Sequence, residues 1–215
     1  MMNLIVPDII SSDNKRQLRF PGFAYDIEII DLTNQQVLHQ RTDYGGDNTS
    51  GTFTENEDVV IYLTVCKHGY IPPIIKIWDL KNDTFDEIVT PHSTQHLYLP
   101  VAYHKVMRRL VIADFIGGIS TYNVQTREIM WYKESPEDSN VHHIIFLAFS
   151  ECGDKVAALQ KDKLTVYDFT TGKIRLSTPL MDEYSTCEFQ EEDLYIHVNH
   201  PEKETIRVCC KDIIF

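Results

Sequence analysis

Apolar and polar positions alternate along most of the chain, in short runs separated by polar turns. Five runs share one form: "IEIID" ending at Asp31, "IKIWD" at Asp79, "ISTYN" at Asn123, "LTVYD" at Asp168 and "IRVCC" at Cys210. The interval between them is nearly constant, at about 45 residues, which is the mark of a structural repeat. Within each run the residues of one face fall two apart and all but one are apolar: Ile27 and Ile29, Ile75 and Ile77, Ile119 and Thr121, Leu164 and Val166, Ile206 and Val208. A period of two predicts β-strands. The residues between them include Ile30, Trp78, Tyr122, Tyr167 and Cys209, so the second face is mostly large and apolar as well. Strands buried on both faces are expected where sheets stack on either side.

Each of the first four runs leads into a polar turn ("TNQQ", "KNDT", "QTRE", "TTGK") and then a further short strand ("VLHQ", "FDEIV", "IMWY", "IRLS"). The Asp or Asn that closes the run can accept backbone amides of the turn through its side chain. Upstream of each run lies another polar turn with apolar strands around it, as in "FSECGDKVAAL" at 149–159. Each unit therefore reads strand, turn, strand, loop, strand, turn, strand. The units span about 1–41, 50–90, 95–133, 142–178 and 183–215. No segment sustains a helical period and no Gly-, Pro- or Ser-rich linker divides the chain, so a single all-β domain over 1–215 is expected.

The unit "FSECGDKVAAL…KLTVYDFTTGKI" and the "IKIWDL" run, with its Trp78-Asp79 pair, resemble blades of a WD40-type β-propeller. The resemblance covers essentially the whole chain. It lacks the family's Gly-His dipeptide in every unit, so the implied fold is a WD40-like propeller of about five four-stranded blades. A closed five-bladed ring is the favoured form, with an open arc or part of a larger propeller as alternatives. The ring is expected because the first and last units begin and stop at blade edges.

Composition narrows the functional classes. Of 215 residues, 43% are apolar, 11% aromatic and 24% charged, which suits an ordered globular chain. No run is long and apolar enough to predict a membrane helix, and the first twenty residues lack the basic start of a secretory signal. Acidic residues number 32 against 20 basic, a formal charge of −12. Such a surface repels nucleic acid and favours a basic protein partner. The five cysteines are an odd count without a disulfide spacing, so reduced thiols and a cytoplasmic location are expected.

Candidate chemistry is sparse. Adjacent His142 and His143 would face opposite ways on a strand. His197 and His200 with a cysteine could be imagined around zinc, but no CxxC or HExxH spacing accompanies them. No GxSxG, Walker loop or SxxK occurs. The expected inner strands "GTF", "LYLPVAY", "HIIFLAF" and "TCEF" are apolar or neutral, which points away from a catalytic channel. Neither a cofactor nor a metal is expected. The connections between units offer aromatic and acidic residues together: Tyr44, Tyr70 and Tyr184 beside Glu137, Asp138, Asp182 and Glu183. Tyrosine is a common interface anchor and carboxylates steer a basic partner. His104, Lys105, Arg108 and Arg109 form the compact basic cluster of the chain, on a turn of the opposite face. The expected function is a non-catalytic adaptor or scaffold that binds another protein through loops. The alternatives are an inhibitor or immunity-type protein that neutralises a basic toxin or enzyme, and a propeller hydrolase or lyase.

Overall fold

In the computed structural model, the described residues are 9–21, 26–43, 47–55, 57–65, 72–90, 100–113, 118–134, 144–160, 162–180, 184–191, 193–198 and 206–209. All regular structure among them is β, with no helix. No helix long and apolar enough to cross a membrane occurs there. The chain falls into two compact units, Met1–Leu99 and Pro100–Phe215.

The first unit holds two antiparallel sheets. One runs β1 (Ile9–Ile10), β2 (Arg16–Arg19), β3 (Asp26–Asp31) and β4 (Val37–Thr42); the other runs β5 (Asp47–Phe53), β6 (Val59–Val65), β7 (Ile74–Asp79) and β8 (Thr84–Val89). In both, spatial order follows chain order, as in a propeller blade. Leu18, Ile27 and Ile29 of the first sheet pack with Phe53, Val60, Tyr62, Trp78 and Leu80 of the second. The Trp78 indole lies fully inside this layer.

The second unit repeats the pattern. β9 (Val101–His104), β10 (Arg109–Ala113), β11 (Ile119–Asn123) and β12 (Glu128–Lys133) form one sheet; β13 (Ile144–Phe149), β14 (Lys155–Gln160), β15 (Lys163–Asp168) and β16 (Ile174–Pro179) form the next. The last sheet has three described strands, β17 (Tyr184–Gln190), β18 (Asp193–Val198) and β19 (Ile206–Cys209). Residues 210–215 of the last expected unit lie outside the described residues. β14 shows why both faces of the middle strands are apolar. Its Val156 and Ala158 pack with Val111, Ala113 and Ile119 of one neighbouring sheet. The alternate Ala157 and Leu159 pack with Cys187, Leu194 and Ile196 of the other. Burying a Leu or Ile side chain in this way contributes about 1.5–3 kcal/mol.

The turns repeat as closely as the strands. Asp31 Oδ1 accepts the Thr33 amide at 2.7 Å, Asp79 Oδ1 the Lys81 amide at 2.9 Å, Asn123 Oδ1 the Gln125 amide at 3.0 Å and Asp168 Oδ1 the Thr171 amide at 2.8 Å. This is the Asx turn expected from the sequence. Four residues beyond each of these side chains the backbone turns left-handed, at Gln35, Asp83, Arg127 and Gly172. The other turn of each sheet has a left-handed residue as well: Asn14, Glu57, Arg108, Gly153 and Glu191. Pairing of the third strand with the fourth departs from regularity by a bulge at Ile29/Ile30, Thr121/Tyr122 and Val166/Tyr167. The β7–β8 pair has no such bulge.

Candidate functional site

The polar interior of the first unit gathers where β4 meets the second sheet. Tyr62, Lys76 and Glu87 are register partners across β6, β7 and β8, so their side chains form one row across a face. Asp43, just past β4, closes the row. The Lys76 ammonium lies 2.6 Å from Asp43 Oδ2 and 3.2 Å from Glu87 Oε1. The Tyr62 hydroxyl donates to Asp43 Oδ2 at 3.2 Å. Burial pushes the Tyr62 phenol far above its ordinary range, and the Asp43 charge adds to that push.

Beside this charged row runs an aromatic one. The rings of Trp78 and Phe85 stack 5.4 Å apart, and His39 meets the indole edge-on at 6.1 Å. The Arg41 guanidinium sits 3.7 Å from the centre of the Phe85 ring, and Trp78 Nε1–H donates to Asp83 Oδ1 at 3.0 Å. His39, Arg41 and Asp43 are two apart, as side chains on one face of a strand must be. The stretch "HQRTD" thus lays an aromatic, a cation and a carboxylate onto the next sheet in sequence. The lysine is held by two carboxylates and the phenol is turned onto one of them. The row fastens Asp43, just past β4, to the second sheet.

In the second unit, the turn after β9 and the start of β10 hold the turn between β13 and β14. The Met107 amide donates to His104 Nδ1 at 3.2 Å, which leaves the ring proton on Nε2 to donate to the Glu151 carbonyl at 2.8 Å. The imidazole also packs on Phe149, with ring centres 5.6 Å apart. Arg109 Nη1 donates to the Gly153 carbonyl at 2.9 Å, and its guanidinium lies 4.6 Å from the Phe169 ring centre. Glycine is favoured at 153 on two counts: its φ is +73°, and a Cβ there would come within 3.1 Å of the His104 ring. Further out, Trp131 Nε1–H donates to the Phe169 carbonyl. Of the basic cluster noted in the sequence, His104 and Arg109 are therefore committed to joining sheets. Arg108 is exposed at the turn tip beside Val106 and Met107.

The expected binding residues Tyr44, Tyr70, Glu137, Asp138, Asp182 and Glu183 lie outside the described residues. Tyr184 opens β17 opposite Val198, with its side chain outside them too. Among the described residues no group of three or more His, Cys, Asp or Glu could hold a metal ion. His197 lies 3.3 Å from Glu188, and His200 is outside the described residues. Cys187 is buried, which pushes its thiol up to about 12, whereas Cys152 is exposed with its S–H donating to Asp154 Oδ1 at 2.7 Å. The sequence by itself does not set Asp43 apart from its neighbours. Its role appears only when the Lys76–Tyr62 row is seen beside it, and the one sequence signal was the alternating "HQRTD".

Comparison with models of known protein families and with curated proteins yields no match for this chain.

Proposed function

We propose that the chain is a WD40-like β-propeller of about five blades, closed into a ring, that acts in the cytoplasm as a non-catalytic adaptor or scaffold for another protein. The carrying observation is the contrast between the two ends of each sheet. At one end the turns repeat in Asx hydrogen bonding and in the position of the left-handed residue. At the other end the connections vary, from residues 161–162 to 90–100 and 134–143, and share no sequence pattern. A repeated frame with unlike connections is how a rigid scaffold presents recognition loops. The formal charge of −12 favours a basic partner.

The test begins with capture of the partner from the native source and its identification by mass spectrometry. Binding is then followed by surface plasmon resonance at two salt concentrations. Neutralising Glu137, Asp138, Asp182 and Glu183 together should slow association and flatten its salt dependence. Tyr44→Ala or Tyr184→Ala should speed dissociation. Binding that survives these changes and fails on altering Lys105 and Arg108 would place recognition on the turn end of the sheets and overturn the loop reading. Small-angle scattering that requires an open arc would overturn the ring.

A further inference from the structure

Lys76 and Asp43 bring a primary amine and a carboxyl group together with little water around them. Between them the two groups contain an amide bond and one molecule of water. Lys76 Nζ lies 2.6 Å from Asp43 Oδ2, and both side chains are largely covered. A carboxyl C–O bond is about 1.2 Å long, so the carboxyl carbon is within roughly 4 Å of the nitrogen, close to the separation of a reacting pair.

Burial favours the product. An ammonium and a carboxylate taken out of water carry a desolvation cost that a neutral amide does not. Holding the two groups in reach also turns a bimolecular encounter into an intramolecular one, and effective molarities of well-oriented pairs reach about 10⁵–10⁸ M. Arg19 and Glu28 form an ion pair of similar length, 2.7 Å. A guanidinium keeps its proton and is no nucleophile, so that pair has no such chemistry.

Two neighbours supply what condensation needs. Glu87 Oε1, 3.2 Å from Nζ, is within reach to take a proton from it. The Tyr62 hydroxyl donates to Asp43 Oδ2 at 3.2 Å. Burial above all, and then the Asp43 charge, keep that phenol protonated as a donor. Tyr62, Lys76 and Glu87 are held side by side by the register of β6, β7 and β8.

We propose that Lys76 Nζ and Asp43 Cγ join in an intramolecular isopeptide bond, with Glu87 carrying a proton and Tyr62 donating to the oxygen that leaves. Nζ passes one proton to Oδ2 across their hydrogen bond and, as it attacks Cγ, a second to Glu87. The Cγ–Oδ2 bond then breaks, Glu87 returns its proton and Oδ2 departs as water. The ammonium and the carboxylate are consumed, one amide N–H remains and Glu87 ends as it began, so no oxidant or co-reactant enters. The bond ties the end of the first sheet to β7 of the second. It stands on this geometry and not on the adaptor reading.

Intact-mass spectrometry of the full chain under denaturing conditions tests it. The expected mass is about 18 Da, one water, below that of the 25.0 kDa sequence. Protease mapping should find a branched peptide that joins Asp43 to Lys76. Lys76→Arg keeps the charge pair and should restore the full mass. Asp43→Asn should lose about 17 Da instead, because ammonia replaces water as the leaving group. Glu87→Gln should slow closure at least about a hundredfold, and closure at the unaltered rate would overturn the part given to Glu87. A chain at its full sequence mass after extended incubation in the folded state overturns the proposal, whatever the variants do. A water loss that maps to a linear peptide is a cyclic imide, and a branch from Lys76 to Glu87 is a different bond; either result overturns it as well.

Discussion

The Lys76 ammonium and the Asp43 carboxylate, from different sheets, are paired at 2.6 Å with only 12% and 11% of the two side chains exposed. Breaking a covered pair costs more than the pair contributes, because the remaining charge keeps its burial and loses its partner. Lys76→Met should destabilise the chain by about 2–4 kcal/mol in urea melts, less than for a fully dry pair because Glu87 is half in solvent. Adding Asp43→Asn should recover part of that loss. A single-mutant cost below about 1 kcal/mol would mean that the row does not hold the sheets together.

Acid should weaken the turns. Burial alone would raise the Asp168 carboxyl, but the Arg175 guanidinium and the amide and hydroxyl of Thr171 outweigh it and draw the value down to about 2. A carboxyl that is more acidic folded than unfolded adds stability that is complete above its unfolded value, 3.8, and is lost as pH falls through about 2. Asp168→Asn should therefore lower stability at neutral pH and flatten its fall between about pH 4 and pH 2 in denaturant titrations. Asp31 and Asp79 are lowered too, chiefly by the side-chain hydrogen bonds from Thr33 and Asn82, and should keep part of the slope.

Equivalent turn positions should respond with opposite signs. Gly172 has φ +67°, and a Cβ there would lie 2.9 Å from the Trp131 indole, so Gly172→Ala should cost about 1–3 kcal/mol. Gln35 holds the same place in the first sheet at φ 61° with a side chain in the left-handed region. Gln35→Gly should be neutral or stabilise by up to about 1 kcal/mol, relief of the backbone being offset by unfolded-state entropy. Thermal melts of the two variants would show whether the turns are truly equivalent.

Thiol reactivity should separate two cysteines. Cys152 is exposed and Cys187 is buried with its thiol pushed up to about 12. Disulfide reagents should modify Cys152 in the native protein and reach Cys187 only in denaturant. Peptide mapping that finds Cys187 labelled as fast as Cys152 would contradict its place in the core.

Strands and Asx turns were legible because both are local. Ile27 and Ile29 alternate whatever surrounds them, and Asp79 reaches amides two and three residues on. Most left-handed positions were not, because residues such as Gln35 and Arg127 carry no mark of it, whereas Gly153 and Gly172 do. The bulges were hidden for a different reason: a bulge is a relation between two strands, and neither partner's composition records it. Asp43 was hidden because its partners, Tyr62 and Lys76, belong to the next repeat. The latches of His104 and Arg109 onto Glu151 and Gly153 were hidden in the same way, so basic residues that serve packing looked like a surface cluster.

Those latches also bear on how the protein is made. Ser12 is joined to Glu57 across 45 residues, His104 to Glu151 across 47 and Arg109 to Gly153 across 44. The first and third sheets are therefore secured by residues that leave the ribosome one repeat later. At about 5–20 residues per second, a newly emerged sheet waits roughly 2–9 s with one apolar face uncovered. During that interval it is open to chaperones, and a pause in translation between repeats would prolong its exposure.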